Sequence, residues 1–280
     1  MPEPPQLPPI AEEPISLILA AHNDEAHLQD VVRAWVRQLQ KRDKPFEILV
    51  IDDGSTDRTR ELAEEVASRR DEVQAHRHLA RRGLGGAITT GLNQCQFSLI
   101  VTSICDPSYS PEELPKFLAE IDKVHLVSGF RAGRPTPPVL GGLSWTWRML
   151  LRIVLSLRIK PAPGYLGMRN RGIRLLARIL FGLRQRDVGC PYRLFRREIL
   201  PRSPLQSEGE FALVEQLAKI NYLTGLFSED EVPLPIAPSL GKWQSTRKEF
   251  FTELGRVLSS PDFGPMLLEE PTEELPEPLG

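Results

Sequence analysis

The sequence predicts an α/β fold with a mostly parallel central sheet flanked by helices. Three observations carry that expectation. Short, nearly continuous apolar runs such as Ile15–Ala20 (ISLILA) and Phe46–Ile51 (FEILVI) read as strands covered on both faces. The segments between them repeat apolar residues at helical spacing. Strand and helix then alternate through the first half, which implies parallel pairing through right-handed crossovers.

In order, the first strand is Ile15–Ala20, and Ala26–Leu39 is a helix with Leu28, Val31, Val32, Trp35 and Leu39 on one side. Phe46–Ile51 is the second strand, and Asp57–Ala67 the second helix, with Ser55 or Thr56 available to cap it. Val73–His78 is a short strand, Gly85–Gln94 a helix and Phe97–Thr102 the fourth strand. Pro111–Ile121 reads as a helix with proline in its first turn, and Val124–Gly129 as the fifth strand. A Pro/Gly-rich loop, Ala132–Gly142, precedes two basic, apolar helices at Leu143–Lys160 and Arg169–Arg184. A short strand (Pro191–Arg196), a helix (Glu210–Ile220), a strand (Leu223–Val232) and a last helix (Ser245–Leu258) complete the body.

Residues 1–14 hold six prolines and no period, and read as a disordered lead. Residues 259–280 read as a disordered acidic tail, with five prolines, six acids and no base from 261 onward. The folded body is then 15–258, one domain.

Cys95, Cys105 and Cys190 have neither disulfide nor zinc spacing, which suits a reducing compartment. No stretch reads as a signal peptide or as about 18 uncharged apolar residues. The net charge of −2 hides an asymmetry. Arg131–Arg202 carries 16 Lys/Arg and 2 Asp/Glu, leaving 19 basic and 35 acidic residues elsewhere. A basic block in an acidic chain predicts an anionic partner: phosphate, membrane surface or nucleic acid. The last fits least, because the block is also apolar and the remaining acid repels a long polyanion. On Leu143–Lys160, Arg148, Arg152, Ser156 and Lys160 form a narrow stripe beside a wide apolar face with tryptophans. Arg171, Arg174, Arg178 and Gln185 form a similar stripe. An interfacial helix pair and two core helices with one wet edge fit these patterns about equally.

In parallel sheets, ligands bind beyond the carboxyl ends of the strands. The residues there are Ala21-His22-Asn23-Asp24-Glu25, Asp52-Asp53-Gly54-Ser55 and Ser103-Ile104-Cys105-Asp106. Paired acids at a strand end can bind a base edge and ribose hydroxyls, or can be surface acids on a capped turn. The Gly83–Gly86 loop with Arg81 and Arg82 suits phosphates at a helix N-terminus, or is a plain turn. The five histidines share no metal-ligand spacing.

Seven segments in order resemble family 2 glycosyltransferases: AAHNDE at 20–25, VIDDGSTDRT at 50–59, RGLGGA at 82–87, DPSYSP at 106–111, SGFR at 128–131, DVGCPYRLFRR at 187–197 and EVP at 231–233. The match is closest to the dolichol- and polyprenyl-phosphate hexosyltransferases. It implies a Rossmann-like, nucleotide-binding A-type glycosyltransferase fold, with 15–130 the donor-binding half and 131–258 the acceptor- and membrane-facing half. The implied activity is inverting transfer of a hexose from a nucleotide-diphosphate sugar to a lipid phosphate, by a peripheral protein at the cytoplasmic membrane face. The resemblance carries donor binding to Ala21, Asn23, Glu25, Asp52, Asp53, Gly83 and Gly85. It carries catalysis to Asp106, Arg131 and Asp187, and acceptor phosphate binding to Arg131, Arg171 and Arg193. A Mg²⁺ or Mn²⁺ ion would sit on Asp106, with Ser108 or Tyr109 as auxiliary oxygens. Ile104 stands where the family has the first metal-motif Asp, and Pro191 where it has a glycine. A catalytically degenerate nucleotide-sugar-binding module, or transfer to a sugar hydroxyl, remains the alternative.

Overall fold

The computed structural model describes residues 7–131, 168–223, 229–234 and 240–264. The expected loop 132–142, the helix 143–160 and most of the acidic tail lie outside the described residues.

Seven strands form one sheet: β1 (Ile15–Ala21), β2 (Phe46–Asp52), β3 (Val73–Arg77), β4 (Leu99–Ile104), β5 (Leu126–Arg131), β6 (Arg193–Arg196) and β7 (Glu229–Leu234). Their order is β3-β2-β1-β4-β6-β5-β7. β3, β2, β1 and β4 are parallel, as are β5 and β7. Only β6 runs against its neighbours, wedged antiparallel between β4 and β5. The sheet is thus mostly parallel, as the alternation of elements predicts.

The helices are α1 (Leu28–Gln40), α2 (Thr59–Ser68), α3 (Leu84–Gln94), α4 (Leu114–Ile121), α5 (Met168–Phe181), α6 (Phe211–Tyr222) and α7 (Arg247–Ser259). β1 and β4 are buried along their whole length and β2 along all but Phe46, which is why their sequences are apolar without alternation. α3 lies close on β1: a Cβ on Gly91 would stand 2.4 Å from Cγ2 of Ile18. α6 is buried from Phe211 to Ile220 and is the core helix of the second half.

Several boundaries differ from the sequence reading, each for a local reason. The expected 111–121 helix opens as a 3₁₀ turn at Pro111–Glu113, because Pro115 has no N–H to give to the carbonyl of residue 111. α5 stops at Phe181, where Gly182 turns left-handed at φ 69° and Asn221 Nδ2 donates to the Phe181 carbonyl at 2.7 Å. β5 starts two residues late and so ends on Arg131. Of the proline-rich lead, residues 7–14 lie against the body. Ile10 and Ala11 amides donate to Asp122 Oδ1 at 2.7 and 2.9 Å, and Arg196 reaches the Pro8 carbonyl at 2.8 Å.

Candidate active site

The strand register sets the site. Ala21 pairs with Asp52 and Ala20 with Ile104, so the ends of β1, β2 and β4 fall on one edge of the sheet. Residues 22–25, Asp52, Asp53 and Asp106 therefore gather at a single tip.

The two neighbouring aspartates have different surroundings. Asp53 is fully buried, and protein donors surround its carboxylate. Oδ1 accepts Arg82 N and lies 2.8 Å from His78 Nδ1, while Oδ2 accepts Gly83 N; all three distances are 2.8 Å. The far side of the His78 ring is held by Thr90 at 2.8 Å. Asp52 is 2% exposed, and its Oδ1 accepts only Ser55 N at 3.1 Å. Its Oδ2 is buried with no protein partner. A buried polar oxygen left open is costly unless a ligand completes it.

The other residues expected at the donor have structural duties as well. Ala21 is buried in β1, and its carbonyl accepts Asp53 N at 2.8 Å. Asn23 sits at φ 53°, the left-handed region that asparagine tolerates. Its side-chain oxygen accepts Thr56 N at 2.8 Å, and its own amide donates to Ser55 Oγ at 2.9 Å. Glu25 Oε2 accepts Arg58 N at 3.1 Å. Ser55 and Thr56 are therefore bound to the 22–25 turn and do not cap α2; Asp57 Oδ1 accepts the Thr59 amide instead, at 3.0 Å.

The glycine loop corrects the expectation of a phosphate cradle. Gly83 N goes to Asp53, Gly85 N to the Gly209 carbonyl at 3.3 Å, and Gly86 N to the Glu208 carbonyl at 2.9 Å. Glycine is required here because the 207–209 segment lies on top. A Cβ on Gly85 would stand 2.2 Å from the Ser207 carbonyl oxygen, and one on Gly83 2.7 Å from that of Glu208. That segment is itself held by carboxylates. Glu253 Oε1 accepts the amides of Glu208 and Gly209 at 2.9 and 2.7 Å. Glu215 accepts those of Gln206 and Ser207 at 2.8 and 2.9 Å. Nothing in the local sequence signals this pairing of segments more than 120 positions apart.

At the end of β4, Ile104 is buried and Asp106 partly exposed. Asp106 Oδ1 accepts Ser108 N at 2.8 Å. Asp24, one strand over, is buried; burial raises its pKa, and the nearby charge of Asp106 adds to the rise. Its oxygens accept His22 N at 2.9 Å and the ammonium of Lys242, which also donates to the Asn23 carbonyl at 3.0 Å. Lys242 is a site residue the sequence reading missed. These donors do not amount to a resident metal site: Tyr109 is buried, and the carboxylate oxygens not already bonded within the protein are one on Asp106 and the enclosed Oδ2 of Asp52. A hard divalent ion takes six or more oxygens. Among the described residues, no cluster of three or more His, Cys, Asp or Glu is placed to hold a metal.

On the other flank, Arg131 at the end of β5 is 1% exposed and clamped by Asp187. Nε donates to Oδ2 at 2.5 Å and Nη2 to Oδ1 at 2.7 Å. Burial alone would lower the arginine's pKa; the Asp187 hydrogen bonds and charge more than reverse this. The pair lines a small cleft with Arg174, Arg186, Glu210 and Leu240. Arg186 also stacks 4.7 Å over the Phe130 ring. Tyr109 is buried, and burial above all pushes its hydroxyl well above the ordinary tyrosine pKa. Arg171 is exposed on α5 and does not line this cleft; Arg174, one turn on, does. Arg193 is also outside it. Fully buried on β6, it donates to Gln216 Oε1 at 2.8 Å and the Val188 carbonyl at 3.0 Å, and burial lowers its pKa to about 10.

Solved enzymes share this fold. Glucosyl-3-phosphoglycerate synthase from Mycobacterium tuberculosis, in complex with Mn²⁺, UDP and phosphoglyceric acid, superposes with a TM-score of 0.59 at 19% identity, covering 91% of this chain and 82% of that one. The same enzyme with Mn²⁺ and UDP-glucose gives a TM-score of 0.58 at 19% identity, over 91% and 83% of the two chains. The fold is that of the A-type glycosyltransferases. Residues 16–202 match glycosyl transferase family 2, and the chain belongs to that family. Among its relatives, an undecaprenyl-phosphate 4-deoxy-4-formamido-L-arabinose transferase from Pseudomonas fluorescens is 26% identical, over 80% of this chain and 56% of its own length. A polyprenol monophosphomannose synthase from Mycolicibacterium smegmatis is 34% identical, over 57% of this chain and 54% of its own length. The chain thus spans about half the length of these relatives.

Proposed function

We propose that the chain is an inverting hexosyltransferase, moving a sugar from a nucleotide-diphosphate sugar to a polyprenyl or dolichyl phosphate as a peripheral protein at the cytoplasmic membrane face. The observation that carries the donor side is the buried, unpartnered Asp52 Oδ2 at the sheet tip. It would accept from a base or ribose donor, with Asp53 fixing the neighbouring loop. The names of the polyprenyl-phosphate relatives support the acceptor.

A phosphate monoester is largely a dianion at neutral pH, its second pKa being about 6. Its oxygen attacks the anomeric carbon, the bond to the diphosphate breaks, and the nucleoside diphosphate leaves with the electron pair. No proton has to move, so the protein's task is to place charge. The arginines of the cleft (Arg131, Arg174 and Arg186) would orient the acceptor phosphate, with Asp187 keeping the Arg131 fork in one orientation. In-line attack inverts the configuration. The Mn²⁺ bound by solved neighbours supports a divalent ion at Asp106, but the free oxygens of Asp106 and Asp52 do not by themselves build its site, and no step here depends on it.

Membrane contact is supported by α5, where Leu175 and Ile179 are 52% and 70% exposed on a helix that also carries Arg171 and Arg178. No helix among the described residues is long and apolar enough to cross a membrane. Buried Ile104 favours a second reading, a nucleotide-sugar-binding module without activity. The test is purified protein with polyprenyl phosphate and labelled UDP- and GDP-sugars, scored for glycolipid and its anomeric configuration. Sugar nucleotide bound but never transferred to any lipid phosphate would favour the second reading.

A further inference from the structure

The donor tip is crowded with acid: Asp24, Asp52, Asp53 and Asp106 all lie at the ends of three adjacent strands. A diphosphate must enter that field, and the carboxylates present do not build a resident metal site to shield it. One cation is already there.

Lys242 comes from a 3₁₀ turn, Gly241–Trp243. The turn is anchored on both sides. Trp243 is buried, its ring edge-on to His22 with centroids 6.2 Å apart, and the Arg81 guanidinium donates to the Lys242 carbonyl. The ammonium is therefore delivered from a fixed support. It has three N–H donors. One goes to Asp24 Oδ1 and one to the Asn23 carbonyl. The third has no acceptor among the described residues, and the side chain is 36% exposed. Arg81 stands beside it, its Nε 4.0 Å from Asp53 Oδ2.

We propose that Lys242 is a resident phosphate-binding cation of the donor site, so that a nucleoside diphosphate binds this chain without a divalent ion. The inference rests on the donor-site reading above. It also accounts for Ile104: a chain that holds an ammonium against Asp24 does not need a second carboxylate on β4 to recruit a metal. The free N–H of Lys242 donates to a diphosphate oxygen, and its bond to Asp24 keeps the ammonium in place when the site is empty. Arg81 reinforces the same charge.

Calorimetry on the full chain tests this, with UDP and GDP against uridine and guanosine, each in EDTA and in Mn²⁺. Wild type is expected to bind one diphosphate in EDTA within about threefold of its affinity in Mn²⁺. Lys242→Met is expected to lose about tenfold or more of that affinity, the worth of one charge-assisted hydrogen bond. Its nucleoside affinity should be unchanged, and Lys242→Arg should recover most of the loss. Diphosphate binding by wild type only in Mn²⁺ overturns the inference while leaving the donor site standing; this comparison holds even if Lys242→Met fails to fold. Equal loss of nucleoside and diphosphate in Lys242→Met also overturns it, by making Lys242 a latch for the 241–243 turn. If wild type binds no nucleotide in either condition, the donor-site reading itself is wrong, and this inference falls with it.

Discussion

Asp52 and Asp53 are adjacent and chemically identical, yet their replacement by asparagine should have opposite consequences. In Asp53→Asn, the side chain keeps one acceptor and gains an NH₂ group. Turned one way, the NH₂ faces the Gly83 amide; turned the other, it faces Arg82 N and His78 Nδ1, all 2.8 Å away in the wild type. The better orientation still strands one donor, at about 1–3 kcal/mol, and weakens the remaining bonds from charge-assisted to neutral. The expected loss of stability is about 3 kcal/mol. With a urea slope of about 2–3 kcal/mol/M, the denaturation midpoint should fall by roughly 1 M. Asp52→Asn loses no such network. Its one protein bond, from Ser55 N at 3.1 Å, can be kept, and the buried unpartnered carboxylate oxygen becomes an equally unpartnered NH₂ group, one desolvated group exchanged for another. Stability should move by less than about 1 kcal/mol, while nucleotide affinity falls about 10–100-fold, the worth of one hydrogen bond to a charged group. Urea titrations and UDP/GDP calorimetry on both variants are the assays. If Asp53→Asn is as stable as wild type, or Asp52→Asn binds nucleotide undiminished, the division of labour described here is wrong.

Gly85→Ala should drive a methyl into the Ser207 carbonyl, 2.2 Å from where its Cβ would sit; backbone cannot yield cheaply there, so a loss of about 3 kcal/mol or more is expected by thermal or urea unfolding. Glu229 is pushed up to about 7 by burial, against 4.5 for a free glutamate. The folded state therefore binds a proton that the unfolded state does not. Wild-type stability should rise as pH falls from 8 to 6, and Glu229→Gln should remove that part of the slope, read from melting temperatures at the two pH values. Leu175→Ser with Ile179→Ser should leave nucleotide binding intact and weaken sedimentation with anionic vesicles several-fold; unchanged sedimentation would remove α5 from the membrane contact.

The sheet was readable from sequence because its strands are buried on both faces and need unbroken apolar runs. The acidic tip was readable because ligand-side residues follow such runs directly. What could not be read is what crosses the chain. Gly83 and Gly85 look like a phosphate loop locally, yet their shape is dictated by the 207–209 segment, whose fit depends on Glu215 and Glu253. Lys242 is one lysine in an undistinguished GKWQ string, and only folding brings it to Asp24. The resemblance puts Arg193 on the acceptor phosphate, but β6 lies between two strands and its arginine is enclosed against Gln216.

The reversed β6 also constrains the order in which the molecule can assemble. β1 to β4 lie within the first 104 residues and can zip together as that stretch leaves the ribosome, β4 keeping one edge for β6. β5 has no such option, because both of its partners, β6 and β7, lie more than 60 positions further along. Arg131 and the rest of β5 must wait through that interval with two open edges, and closing so long a loop is slow. The nascent chain therefore passes through a stage in which the β1–β4 half of the sheet is built and the β5–β7 half is not, and chaperone dependence should concentrate there.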